Sequence, residues 1–111
     1  MRLHSMVGVN LLALALVLAA TPALEQDDVE ALYGAQCAMC HGAAGGGDGQ
    51  MAAAMNPKPT AIADPEFLKA RTDEQLTTAI TDGKGLMPGY KAQLSADQIQ
   101  ALVAYIRKLG E

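Results

Sequence analysis

The protein has 111 residues, half of them hydrophobic, with 8 Lys+Arg against 12 Asp+Glu and a formal net charge of −4. That length suits one small domain and argues against a two-domain enzyme. The acidic balance argues against nucleic acid as a partner, whose binding footprint would be basic, and the apolar content argues against a disordered chain.

The chain opens with Met1-Arg2, and Val7 to Ala20 is apolar except for Asn10. Thr21-Pro22-Ala23 follows, ahead of the acidic residues Glu25, Asp27, Asp28 and Glu30. One basic residue, a short apolar run and small residues describe a secretory signal peptide over 1–23. Cleavage is expected after Ala23, with Ala20 as the alternative. The domain is then 24–111, exported to the periplasm. An uncleaved anchor is the competing reading. Met6 to Ala23 just reaches the lower limit of a membrane span, but only by including Asn10, Thr21 and Pro22. Membrane contact is expected only if the leader is retained.

Within 24–111 the patterning is helical, with no alternating strand. The first helix is expected from about Asp28 to Cys37, with Val29, Leu32 and Tyr33 as its apolar stripe. Gly42 to Gly49 holds five glycines in eight residues and cannot be a helix. It reads as a loop that lets the backbone approach a bulky ligand; no Gly-Lys-Ser/Thr ending makes it a phosphate loop. Met51 to Met55 suits a short helical turn, stopped by Asn56-Pro57-Lys58-Pro59. Asp64-Pro65 reads as an N-cap with proline at the first helical position. Thr72 with Gln75 forms a capping box, Leu76, Ala79 and Ile80 make a buried stripe, and Gly83 ends that helix. Gly83 to Gly89 is a loop. The last helix starts at Ser95 with Gln98 as reciprocal cap. It carries Ile99, Leu102, Val103, Ile106 and Leu109 at steps of three and four, and ends at Gly110.

Such a core is thin. Tyr33, Phe67, Tyr90 and Tyr105 are the only aromatic residues, and there is no tryptophan. A domain this small usually needs a staple such as a disulfide, a metal or a cofactor.

Cys37-Ala38-Met39-Cys40-His41 supplies one. Residues i, i+3 and i+4 share a face of a helical turn. Two sulfurs can therefore take the two vinyl groups of a haem while the imidazole reaches the iron from the same side. This is the c-type haem attachment pattern. A structural zinc site would want four protein ligands. A thioredoxin-like pair would be expected near a β-α-β pattern. A plain disulfide would leave His41 and the glycine-rich loop unexplained.

Several residues compete for the second axial position. His4 lies in the leader, as do Met1 and Met6, and Met39 is inside the motif. Met51 and Met55 lie in an Ala-rich stretch, where methionine is most often packing. Met87 sits in a loop between Gly85-Leu86 and Pro88-Gly89, far enough from His41 for the chain to return on the opposite haem face. Methionine/histidine ligation is an established haem arrangement, so Met87 is the expected ligand. Lys84 and Lys91 bracket it with no acidic residue between them, which makes that face locally basic.

Cys37 to Gly42, the glycine-rich loop, Met87-Pro88 and the terminal Leu102-Val103-Ala104-Tyr105-Ile106 resemble class I c-type cytochromes, from about Val29 to Leu109. The resemblance implies an all-α cytochrome c fold, with three to five short helices wrapped around one covalently bound haem c. It implies crossing first and last helices, with Tyr33 meeting Leu102 and Tyr105. Val29 stands where the family often has glycine or alanine. The family's proline, whose carbonyl accepts from the ligand histidine's second nitrogen, would be Pro57 or Pro59. The implied activity is one-electron transfer between protein donor and acceptor, docking near the haem edge around Lys84 and Lys91, with no catalytic side chains. The alternatives are a permanent subunit of a larger oxidoreductase and a gas-binding or peroxidatic haem protein. The latter would lack Met87 on the iron.

Overall fold

The computed structural model describes residues 25–111 and three isolated positions, 8, 13 and 15. The leader, its cleavage point, Met1, Met6 and His4 otherwise lie outside the described residues. Five α-helices follow in order: α1 Gln26–Gln36, α2 Ala38–His41, α3 Pro65–Lys69, α4 Asp73–Asp82 and α5 Ala96–Leu109. A single 3-10 turn, Ala52–Ala54, lies between α2 and α3. Among the described residues there is no strand, only an antiparallel bridge between Lys84 and Met87. The all-α expectation holds. No helix among the described residues is long and apolar enough to cross a membrane.

Local chemistry sets the helix ends. At α4 the Thr72 hydroxyl accepts from the Gln75 N–H (3.1 Å), and the Gln75 side-chain oxygen accepts from the Thr72 N–H (2.9 Å). Ser95 and Gln98 repeat this reciprocal cap at α5, at 3.1 and 2.8 Å. Each box satisfies two amides that have no partner inside the helix. Asp64 caps α3 by accepting from the Glu66 N–H, with Pro65 at the first position, where a missing N–H costs nothing. α1 stops one residue before the expected end. Cys37 has φ −120°, far from the helical value near −63°, so the chain breaks there and restarts as α2.

The core forms around α5, against which α1 and α4 pack. Ile99, Leu102, Val103 and Ile106 recur at helical spacing and are all 5% exposed or less. Leu76 and Ile80 join them from α4, Tyr33 from α1, Leu68 from α3, and Ile62 and Leu94 from the connections. Tyr33 and Leu102 are the largest fully buried side chains. The Tyr33 and Tyr105 rings meet at 5.1 Å with a 46° tilt, a favourable offset for an aromatic pair. The implied contact between the first and last helices is therefore present. Val29 is buried at 5% exposure, so its branched side chain is accommodated.

Arg107 locks α5 to the connection between α3 and α4. Its Nε donates to Asp73 Oδ1 (2.9 Å), and its two terminal nitrogens donate to the carbonyls of Leu68 and Arg71 (2.6 Å each). One planar, always-charged group thus holds three acceptors at once.

Candidate functional site

Cys37, Cys40 and His41 lie on one turn, as the spacing requires, and all three are half-buried. Met39, between them, is 54% exposed. Cys37 and Cys40 form no disulfide with each other. Burial, with the neighbouring Cys40 charge adding, pushes the Cys37 thiol up to about 11. A thiol–disulfide redox cysteine has the opposite property, a lowered pKa that exposes thiolate. Among the described residues, no three His, Cys, Asp or Glu side chains converge on a point that could hold a metal ion. The three side chains of the attachment turn suit a macrocycle, whose two vinyl groups and central iron are spread over several ångströms.

His41 Nδ1 donates to the Thr60 carbonyl at 2.9 Å. A carbonyl only accepts, so Nδ1 carries a proton in this contact, and Nε2 is the ring nitrogen left to meet a ligand. Neither Pro57 nor Pro59 supplies the acceptor. The chain path places Thr60, one residue after Pro59, beside the ring. Such a contact fixes ring orientation and raises ligand basicity.

The glycine-rich loop explains that path. Gly47, Gly49 and Met51 donate their N–H groups to the carbonyls of His41, Cys40 and Met39, at 2.8, 3.1 and 2.9 Å. These are the last carbonyls of α2, which have no partner within the helix. Gly47 has φ +75°, and a Cβ there would stand 2.8 Å from the Pro59 carbonyl oxygen. A Cβ on Gly49 would collide with the carbonyls of Ala38 and Met39. At these two positions the close approach is backbone to backbone, between the attachment turn and the segment carrying Thr60.

Met87 occupies a second built loop. Its N–H donates to the Lys84 carbonyl and its carbonyl accepts from the Lys84 N–H, both at 3.0 Å. The loop closes at a neck, where Tyr90 and Lys91 donate to the carbonyls of Ile80 and Thr81. A Cβ on Gly83 would lie 2.6 Å from the Gly89 nitrogen, so this neck admits no side chain. Met87 is half-buried against the core, whereas Leu86 beside it is 60% exposed. Met51 is 49% exposed and is not part of that core.

Tyr90 was visible in the sequence only as aromatic bulk. Its hydroxyl donates to the Gln36 carbonyl at 3.0 Å, across 54 residues, and so ties the Met87 loop to the attachment turn. Burial raises its pKa above the usual tyrosine value. No local signal could have revealed this, because the acceptor is a main-chain carbonyl. The charge picture also changes. Lys84 and Lys91 are both exposed, but Asp82 lies 3.9 Å from the Lys91 ammonium and partly balances it.

Residues 24–106 match the family model described as cytochrome c oxidase, cbb3-type, subunit III. Over 80 residues the chain is 36% identical to cytochrome c6 of Leptolyngbya boryana, covering 72% of this chain and 87% of that one. Against cytochrome c6 of a Nostoc strain it is 34% identical over 88 residues, covering 78% and 74% respectively. The chain is a class I c-type cytochrome. Among solved structures, the KustC0563 c-type cytochrome superposes with a TM-score of 0.64 at 26% identity, covering 74% of this cytochrome and 96% of that chain. The cytochrome carries one covalently bound c-type haem with iron. It is a small monohaem electron-transfer protein, and its partners are redox proteins.

Proposed function

We propose that Cys37 and Cys40 hold the haem through two thioethers, that His41 Nε2 and the Met87 sulfur are its axial ligands, and that the cytochrome is an exported one-electron carrier. The observation that carries this reading is the pairing of His41 Nδ1 with the Thr60 carbonyl, which occupies Nδ1 and supports Nε2 as the nitrogen for the iron. The haem supplies a one-electron ferrous/ferric couple. Cys37 and Cys40 would hold it covalently, and His41 and Met87 would both ligate its iron, leaving no open position for substrate or gas. Residues 1–23 act as the cleaved leader that delivers the domain 24–111 to the periplasm. Redox partners dock near the haem edge, on the side of Lys84 and Lys91.

A thioether is a weak, neutral ligand, so Met87→Ala is the decisive variant. The haem should stay attached, resisting extraction by acidic organic solvent. The sulfur–iron charge-transfer absorption of the ferric protein should vanish, the potential should fall, and carbon monoxide should bind. Met51→Ala and Met55→Ala should retain the band. If Met87→Ala keeps it, the ligand is misassigned. If the wild type binds carbon monoxide readily, the carrier reading gives way to gas binding.

The family match favours one further possibility, a permanent place in a larger oxidoreductase. The size of the native species separates a free carrier from a subunit.

A further inference from the structure

We propose that Tyr90 is a positioning residue for the axial methionine: its hydroxyl bond to the Gln36 carbonyl holds the Met87 loop against the attachment turn. This rests on the reading of Met87 as ligand. Among the described residues, the backbone ties at the neck of the Met87 loop run to α4, through the carbonyls of Ala79, Ile80 and Thr81. Those bonds fix the loop's shape without fixing its distance from Cys37, Cys40 and His41. Among the described residues, the bond from Tyr90 to Gln36 is the single hydrogen bond between 83–91 and 36–42. It lands on the carbonyl immediately before Cys37.

Tyr90 is itself a fixed post. Its N–H donates to Ile80, and its carbonyl accepts from the amides of Gln93 and Leu94, at 2.9 Å each. A tyrosine ring has two rotatable bonds and little freedom to lose, so it transmits position well. Met87 lies three residues away, with Pro88 restricting the backbone between them.

Tyr90→Phe keeps the ring and removes only the hydroxyl. One neutral hydrogen bond is worth a factor of roughly two to ten in an equilibrium. Imidazole, an added neutral ligand, should therefore displace Met87 roughly fivefold more readily in ferric Tyr90→Phe, followed as loss of the sulfur–iron band. The amides of Lys84 and Met87 should also exchange faster. Arg107→Met serves as the comparison. It breaks three hydrogen bonds far from the loop and should lower the unfolding midpoint while leaving imidazole affinity unchanged. Equal imidazole affinity in Tyr90→Phe and wild type overturns the proposal. An equal gain in Arg107→Met also overturns it, since general softening would then explain both. A wild type without the sulfur–iron band, or Met87→Ala retaining it, would overturn instead the ligand assignment on which the proposal stands.

Discussion

Tyr33 combines three roles in one side chain. Its ring is 1% exposed, its face meets Tyr105 at 5.1 Å, and its hydroxyl donates to the Gly42 carbonyl at 2.7 Å. That carbonyl lies just past the attachment turn, so the bond joins α1 to the end of α2. Desolvation by burial is the main reason its pKa rises from 10.0 to about 12, with the Tyr105 and Asp48 charges adding. The raised value favours the protonated form in the folded state. The stability it contributes is therefore complete below pH 10 and is lost as pH climbs from 10 through about 12. Unfolding midpoints measured across that window should fall in the wild type and fall less steeply in Tyr33→Phe. A slope unchanged by Tyr33→Phe would assign the loss to other groups.

Among the elements, α5 does the most. Its apolar stripe packs on α1 and α4, its N-terminus is closed by the Ser95–Gln98 box, and Arg107 ties its last turn to α3 and α4. Leu102, fully excluded from water at 0% exposure, sits at the centre of that packing. Leu102→Ala removes buried methyl groups and leaves a cavity, a change that costs about 2–5 kcal/mol. Leu109, only partly buried at the end of the same stripe, should cost clearly less as Leu109→Ala. Denaturant titration of the two variants checks the ranking. Equal losses would mean that the end of α5 is as tightly held as its middle.

For the whole molecule, charge decides how partners arrive. Cleavage after Ala23, as proposed, would take one basic residue and no acidic one and leave 24–111 at −5. Electron-transfer encounters are small and weak, and electrostatic steering sets their rate. Lys84→Glu and Lys91→Glu should therefore alter partner association more than Lys69→Glu, and salt should narrow the difference. Asp82 beside Lys91 makes Lys84 the stronger of the two. Stopped-flow rates across ionic strength test this, and equal effects from all three variants would move docking elsewhere.

The features legible in the residues alone are local. The Cys37–Cys40–His41 turn, the boxes at Thr72 and Ser95, the Asp64-Pro65 start and the stripe from Ile99 to Ile106 all depend on groups within a few residues of one another. Helical geometry fixes such neighbours wherever the helix ends up. Other features were decided only when distant segments met. His41 pairs with Thr60 across 19 residues, Tyr90 with Gln36 across 54, and Arg107 with Leu68 across 39. In each the acceptor is a main-chain carbonyl, which every residue carries, so residue type cannot announce it. The same holds for Gly47 and Gly49, whose neighbours are the backbones of Pro59 and of Ala38 and Met39. Composition called for glycine there, and the tertiary path alone determined what the missing side chains make room for.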